Sequence, residues 1–95
     1  MNLEKLRDYR SQILSLAQKY HCTNIRIFGS VSRAEATEES DVDFLIDASP
    51  EQDLFDFVRL TRSLEELLGC EVDLVHSDAL HPLLREQVLQ EAVPL

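Results

Sequence analysis

Apolar residues near the start of the chain fall at Leu3, Leu6, Ile13, Leu16, Ala17 and Tyr20, with a gap around Tyr9 and Arg10. Steps near three and four place them on one side of a 3.6-residue helix. The pattern predicts an amphipathic helix with Asn2 as its N-cap. The period then changes. Asn24-Ile25-Arg26-Ile27-Phe28 alternates and is β-branched, which predicts a short strand ended by Gly29-Ser30. Residues 31–40 are small and polar and read as a helical turn followed by a loop. Asp41 to Asp47 predicts a second strand, with Val42, Phe44 and Ile46 on one face and Asp41, Asp43 and Asp47 on the other. Ser49-Pro50-Glu51-Gln52 reads as a helix start, with Ser49 capping, Pro50 at the first helical position and Gln52 closing a capping box. That helix turns Leu54, Phe57, Val58, Leu64, Leu67 and Leu68 inward and stops at Gly69. Cys70 to Val75 predicts a third strand, with Val72 and Leu74 toward the core and Glu71 and Asp73 away from it. A last helix begins near Pro82 and carries Leu83, Leu84, Val88 and Leu89 as expected core. Ala92 to Leu95 either adds an edge strand or trails. The order helix, strand, strand, helix, strand, helix describes one small α/β (α+β) domain over residues 1–95, a sheet packed by helices.

Charge changes this picture more than overall composition does. The net charge is −9. Such a chain repels a phosphate backbone, so direct nucleic-acid binding is not expected, and a basic protein partner suits it better. No apolar run approaches the ~20 residues that span a bilayer, so no membrane association is expected. The start Met1-Asn2-Leu3-Glu4-Lys5 is amphipathic and charged, unlike a signal peptide. The expected location is cytoplasmic, with Cys22 and Cys70 reduced and plainly structural. His21, His76 and His81 are scattered without metal-ligand spacing and read as surface or packing residues.

Three features converge on chemistry. Gly29-Ser30 follows a strand, where a residue without Cβ lets backbone N–H groups approach phosphate oxygens. Asp41 and Asp43 are spaced by one residue on a strand and share a face, so their carboxylates can bracket hard cations such as magnesium. Asp73 has the parity that places it on the same side, if its strand lies beside that of Asp43. Three carboxylates so close repel unless a cation neutralises them. Together they suggest phosphoryl or nucleotidyl transfer with two metal ions. Asp41 and Asp43 would hold both ions, and Asp73 would hold the one that activates the incoming hydroxyl and could take its proton. Ser30 would hold the outgoing pyrophosphate, and Arg33 would stabilise charge on the phosphates.

The run from Gly29-Ser30 through Arg33 to Ser40-Asp41-Val42-Asp43 resembles the signature of the DNA polymerase beta-like nucleotidyltransferase superfamily. Length and spacer resemble its smallest branch, the minimal nucleotidyltransferases, and the likeness runs from the first helix to Glu86. It implies a mixed sheet flanked by helices. It also implies that Gly29 and Ser30 bind nucleotide phosphates and that Asp41, Asp43 and Asp73 bind Mg2+. Many members of this branch act as antitoxins of a HEPN-domain ribonuclease, transferring AMP from ATP to a tyrosine hydroxyl of that toxin in a hetero-oligomer. If this chain is of that kind, it is a protein adenylyltransferase. The alternative is an antitoxin with weak or no catalysis that acts by direct binding. One departure stands out: Ala34 follows Arg33 where the family has glycine, which restricts φ there.

Overall fold

The protein is described by a computed structural model over residues 2–29 and 41–95. The first predicted helix is two helices. Helix α1 spans Leu3–Asp8 and helix α2 spans Arg10–Lys19. Asn2 caps as expected, its side chain accepting from the Lys5 N–H at 2.8 Å. The break falls at Tyr9, in the gap of the apolar pattern: its N–H turns back to Leu6 O at 3.0 Å, while its carbonyl accepts from Ile13 N at 2.9 Å to start α2. Leu6, Ile13 and Ala17 are the buried residues of the two helices.

Strand β1, Cys22–Phe28, is antiparallel to β2, Val42–Ala48. Helix α3, Leu54–Leu68, then carries the chain over to β3, Val72–His76, which lies parallel to β2. A parallel neighbour requires such a crossover. A single 3-10 turn, Ser77–Ala79, leads to helix α4, Pro82–Glu91, and to a two-residue edge strand β4, Val93–Pro94, antiparallel to β1. The sheet is mixed, in the order β3-β2-β1-β4. Ile25, Ile27, Val42, Phe44, Ile46, Val72 and Leu74 form one core with Leu6, Ile13 and Ala17 and with Leu60, Leu64 and Leu68 of α3. One sheet face is therefore covered by α1, α2 and α3. Because β2 is central, its Leu45 is fully buried on the opposite face as well.

Two further expectations, on α3 and α4, need correction. Helix α3 does not start at Ser49. Its N-cap is Asp53, in a reciprocal box with Asp56: Asp53 Oδ1 accepts from Asp56 N at 2.7 Å and Asp56 Oδ2 from Asp53 N at 3.2 Å. Ser49 instead begins a turn, and the Gln52 amide donates to Tyr20 O at 3.1 Å and Cys22 Sγ at 3.2 Å. Two carboxylates three residues apart satisfy both orphan donors better than Ser49 and Gln52 could. The expected inward residues Leu54 and Val58 accordingly lie outside the buried stripe, with Leu54 73% exposed, and Phe55 beside it is 67% exposed. The second correction concerns α4, which has no buried residue. Leu83, Leu84 and Leu89 are exposed rather than core, at 84% for Leu83.

The helix stop at Gly69 holds, with φ of +68° in the left-handed region that only glycine enters without strain. His21 also has positive φ, +64°. It is more than a surface histidine, since its ring Nδ1 meets Asp56 Oδ2 at 3.0 Å and its carbonyl accepts from Ser49 N at 2.9 Å. The α2–β1 turn is thereby tied to the start of α3. Both cysteines are free and half-buried, and burial pushes both thiols up.

Candidate active site

The sheet face away from α1–α3 carries the candidate chemistry. Side chains on neighbouring strands share a face when they are register partners. Asp43 pairs with Asp73 across the parallel β2–β3 ladder, and with Phe28 across the antiparallel β1–β2 ladder. The two carboxylates that sequence parity linked are thus side by side on adjacent strands. Asp43 is half-buried and Asp73 is exposed. Asp41 stands just ahead of β2 and is exposed, at the point where Val42 N donates to Glu71 O at 3.0 Å.

Gly29 ends β1 with φ of +74°. A Cβ placed there would sit 2.2 Å from Asp43 Oδ2 and 3.1 Å from its carboxyl carbon. The space that glycine leaves open is therefore the space the Asp43 carboxylate occupies. Sequence reading assigned Gly29 only to phosphate approach; the structure gives it a second task. Ser30, Arg33 and Ala34, and the predicted helical turn and loop over 31–40, lie outside the described residues.

The donors present are hard carboxylate oxygens, which fit magnesium rather than a softer metal. Among the described residues, however, no three His, Cys, Asp or Glu side chains are gathered as an all-protein cage. The Asp43–Asp73 pair still fits the ion, because Mg2+ commonly takes one or two carboxylates and fills its remaining positions with water and substrate phosphates.

A further acid on the same face, Asp47, has partners of its own. Asp47 Oδ2 is in an ion pair with Arg26 Nη2 at 2.5 Å and accepts from Asn24 Nδ2 at 3.4 Å, while its Oδ1 accepts from the Ser77 hydroxyl. Thr23 Oγ1 donates to its carbonyl at 3.1 Å. The Ser77 hydroxyl, helped by Arg26 and Asn24, holds the Asp47 carboxyl below the usual carboxylate range against the opposing effect of burial. Parity had placed Asp47 with Asp41 and Asp43, but sequence carried no sign of this cluster, because Ser77 and Arg26 join it only through the register of three strands.

With this geometry in view, the comparisons with known proteins are specific. Residues 11–95 match the family model described as polymerase beta, nucleotidyltransferase, and the chain belongs to that family. A solved structure described as a minimal nucleotidyltransferase superposes with a TM-score of 0.89 at 48% identity, covering 100% of this chain and 97% of that one. The protein adenylyltransferase MntA of Thermococcus cleftensis is 41% identical over 78 residues, 82% of this chain and 79% of its own length. A protein of Methanocaldococcus jannaschii, also named for protein adenylyltransferase activity, is 39% identical over 88 residues, 93% of this chain and 95% of its own. A toxin–antitoxin crystal structure with AMP-PNP superposes with a TM-score of 0.74 at 26% identity, covering 88% of this chain and 69% of that chain. The fold is thus that of a minimal nucleotidyltransferase. No helix among the described residues is long and apolar enough to cross a membrane.

Proposed function

We propose that this chain is a magnesium-dependent protein adenylyltransferase and antitoxin, which transfers AMP from ATP to a tyrosine hydroxyl of a cognate HEPN ribonuclease toxin. The observation that carries the reading is the Asp43–Asp73 register pair, on the sheet face away from α1–α3 and beside the space left by Gly29. The likeness to proteins named as adenylyltransferases and to a toxin–antitoxin assembly with AMP-PNP supplies the donor and the kind of partner.

In this reading Asp41, Asp43 and Asp73 hold Mg2+ and are the catalytic carboxylates. Bound there, the ion supplies charge neutralisation and in-line alignment at the transferred phosphoryl group. Gly29 leaves the Asp43 carboxylate its place, and the Gly29-Ser30 turn with Arg33 receives the nucleotide phosphates. The acceptor hydroxyl oxygen bonds to the α-phosphorus as the bond to the bridging β-phosphate oxygen breaks. Pyrophosphate leaves, and the Asp73 carboxylate takes the hydroxyl proton. The net charge of −9 fits recognition of a basic toxin surface, and the setting is cytoplasmic.

The net charge of −9 suits a second reading as well, an antitoxin that neutralises a basic toxin by occlusion alone. One experiment separates the two. The protein is incubated with its toxin partner, Mg2+ and ATP, and the partner is weighed by intact mass spectrometry. Whole AMP additions, lost in an Asp41→Asn/Asp43→Asn double variant, are expected. Unchanged mass with toxin still bound and silenced overturns transfer in favour of occlusion.

A further inference from the structure

We propose that the outward face of α4 is the surface on which the partner protein docks, through a segment that brings apolar side chains to Leu83 and Leu89 and a basic residue to Glu86. This rests on the reading that the chain acts on a toxin protein. The topology places α4 first. β4 is antiparallel to β1, β1 is antiparallel to β2, and β2 is parallel to β3, so β4 runs parallel to β3 with two strands between them. The steps β2–α3–β3 and β3–α4–β4 are therefore both crossovers between parallel strands of one sheet, and such crossovers are right-handed. They step across the sheet in opposite directions, so they pass on opposite faces. Helix α3 covers the core face, and α4 passes on the side of Asp43 and Asp73. The Ser77 hydroxyl, bonded to the Asp47 carboxylate, marks where the chain enters that side. A protein seated on α4 is thus on the same side of the sheet as the candidate carboxylates.

Helix α4 stands off the sheet. It has 10 residues and none of them is buried, whereas isolated helices shorter than about 12–15 residues are marginal in water. Residues three and four apart are neighbours on a helix, so Glu86 has Pro82, Leu83, Leu89 and Gln90 around it. All of these are exposed, Leu83 at 84% and Leu89 at 39%. A shallow groove of about 390 Å3 runs along this face, lined among the described residues by Pro82, Arg85, Glu86, Leu89 and Gln90. Charge selects the occupant. Arg85 is turned to Asp78 Oδ1 at 3.8 Å, which leaves Glu86 as the unbalanced charge of this face among the described residues. A basic side chain satisfies that carboxylate, and apolar neighbours of the basic residue cover Leu83 and Leu89. A second copy of this chain does not fit. An isologous contact centred on Glu86 sets the two Glu86 carboxylates against each other, between chains that each carry a net charge of −9.

The test is calorimetric titration of the chain with the toxin partner of the transfer assay. Leu83→Asp/Leu89→Asp should weaken binding by about a hundredfold and Glu86→Lys by about tenfold. Their melting temperatures should stay at the wild-type value, because the face is exposed. Leu83→Ala/Leu89→Ala should weaken binding in the same direction and stands in if the aspartates cost the fold. Asp43→Asn, the reference, should bind the partner as the wild type does, which separates docking from transfer. Wild-type affinity in the α4 variants overturns the proposal alone. Sedimentation showing a wild-type dimer that Leu83→Asp/Leu89→Asp splits, with partner affinity unchanged, overturns it in favour of a second copy. A wild-type chain that does not bind the partner overturns the toxin reading, and the proposal with it.

Discussion

Asp43 and Asp47 lie on the same strand and the same face, four residues apart, yet their surroundings are opposite in kind. Asp47 meets a guanidinium, a hydroxyl and an amide. Asp43 stands in register with Asp73, and its carboxylate occupies the space that Gly29 leaves open. The first end is arranged for stability of the folded chain. The second brings two acidic residues into register on neighbouring strands, where their oxygens suit a hard cation.

The largest expected effect is at the acidic end. Asp43→Asn should lower AMP transfer by at least about a hundredfold, while the melting temperature stays near the wild-type value because asparagine keeps the shape that fills the space beside Gly29. A clear fall in melting temperature would show that Asp43 is a structural acid like Asp47, and the contrast would collapse. Gly29→Ala tests the same end from the backbone. The new Cβ displaces the Asp43 carboxylate, and positive φ alone costs about 1 kcal/mol. Transfer should fall severely while urea unfolding shows only that modest loss. Wild-type transfer would mean that the carboxylate position does not matter.

At the compensated end the expectation is reversed and depends on pH. The folded-state pKa of Asp47 is depressed, and so is that of Asp56, chiefly through the His21 contact. Depressed acids stabilise the fold above their unfolded pKa, near 3.9, and that contribution is lost as pH falls through the lower folded values. The melting temperature should be flat above about pH 5 and decline below about pH 4. Asp47→Asn should be less stable at neutral pH and should flatten the acid decline. An acid decline that is as steep in the variant would place the protonation elsewhere. The smallest effect belongs outside the sheet: Leu83→Ala on α4 should change stability by less than about 0.5 kcal/mol, whereas Leu64→Ala in α3 should cost roughly 2–5 kcal/mol. Equal losses would mean that α4 is part of the core after all.

Much of this arrangement was legible in the chain itself. Alternation along Asp41 to Asp47 separated the acidic face of β2 from its core face, and the Gly69 stop and the Asn2 cap follow from local chemistry. Side-chain parity along a strand, φ at a helix end and a cap three residues from its partner are short-range properties. They depend on residues within a turn of one another, and the sequence determined them.

What tertiary structure decided is everything that depends on which segments meet. Apolar spacing alone made Leu54 and Leu83 look like Leu64, but burial needs a facing surface, and among the described helices only α1, α2 and α3 have the sheet to lie on. The start of α3 went to Asp53 because Asp56 is also held by His21, from a turn 35 residues earlier. Above all, the parallel pairing of β2 with β3 set Asp43 beside Asp73, and the β1 register brought Arg26 to Asp47. The sequence determined which way each carboxylate points along its own strand; only the alignment of strands distant in sequence decided that Asp43 stands beside Asp73 and that Asp47 pairs with Arg26.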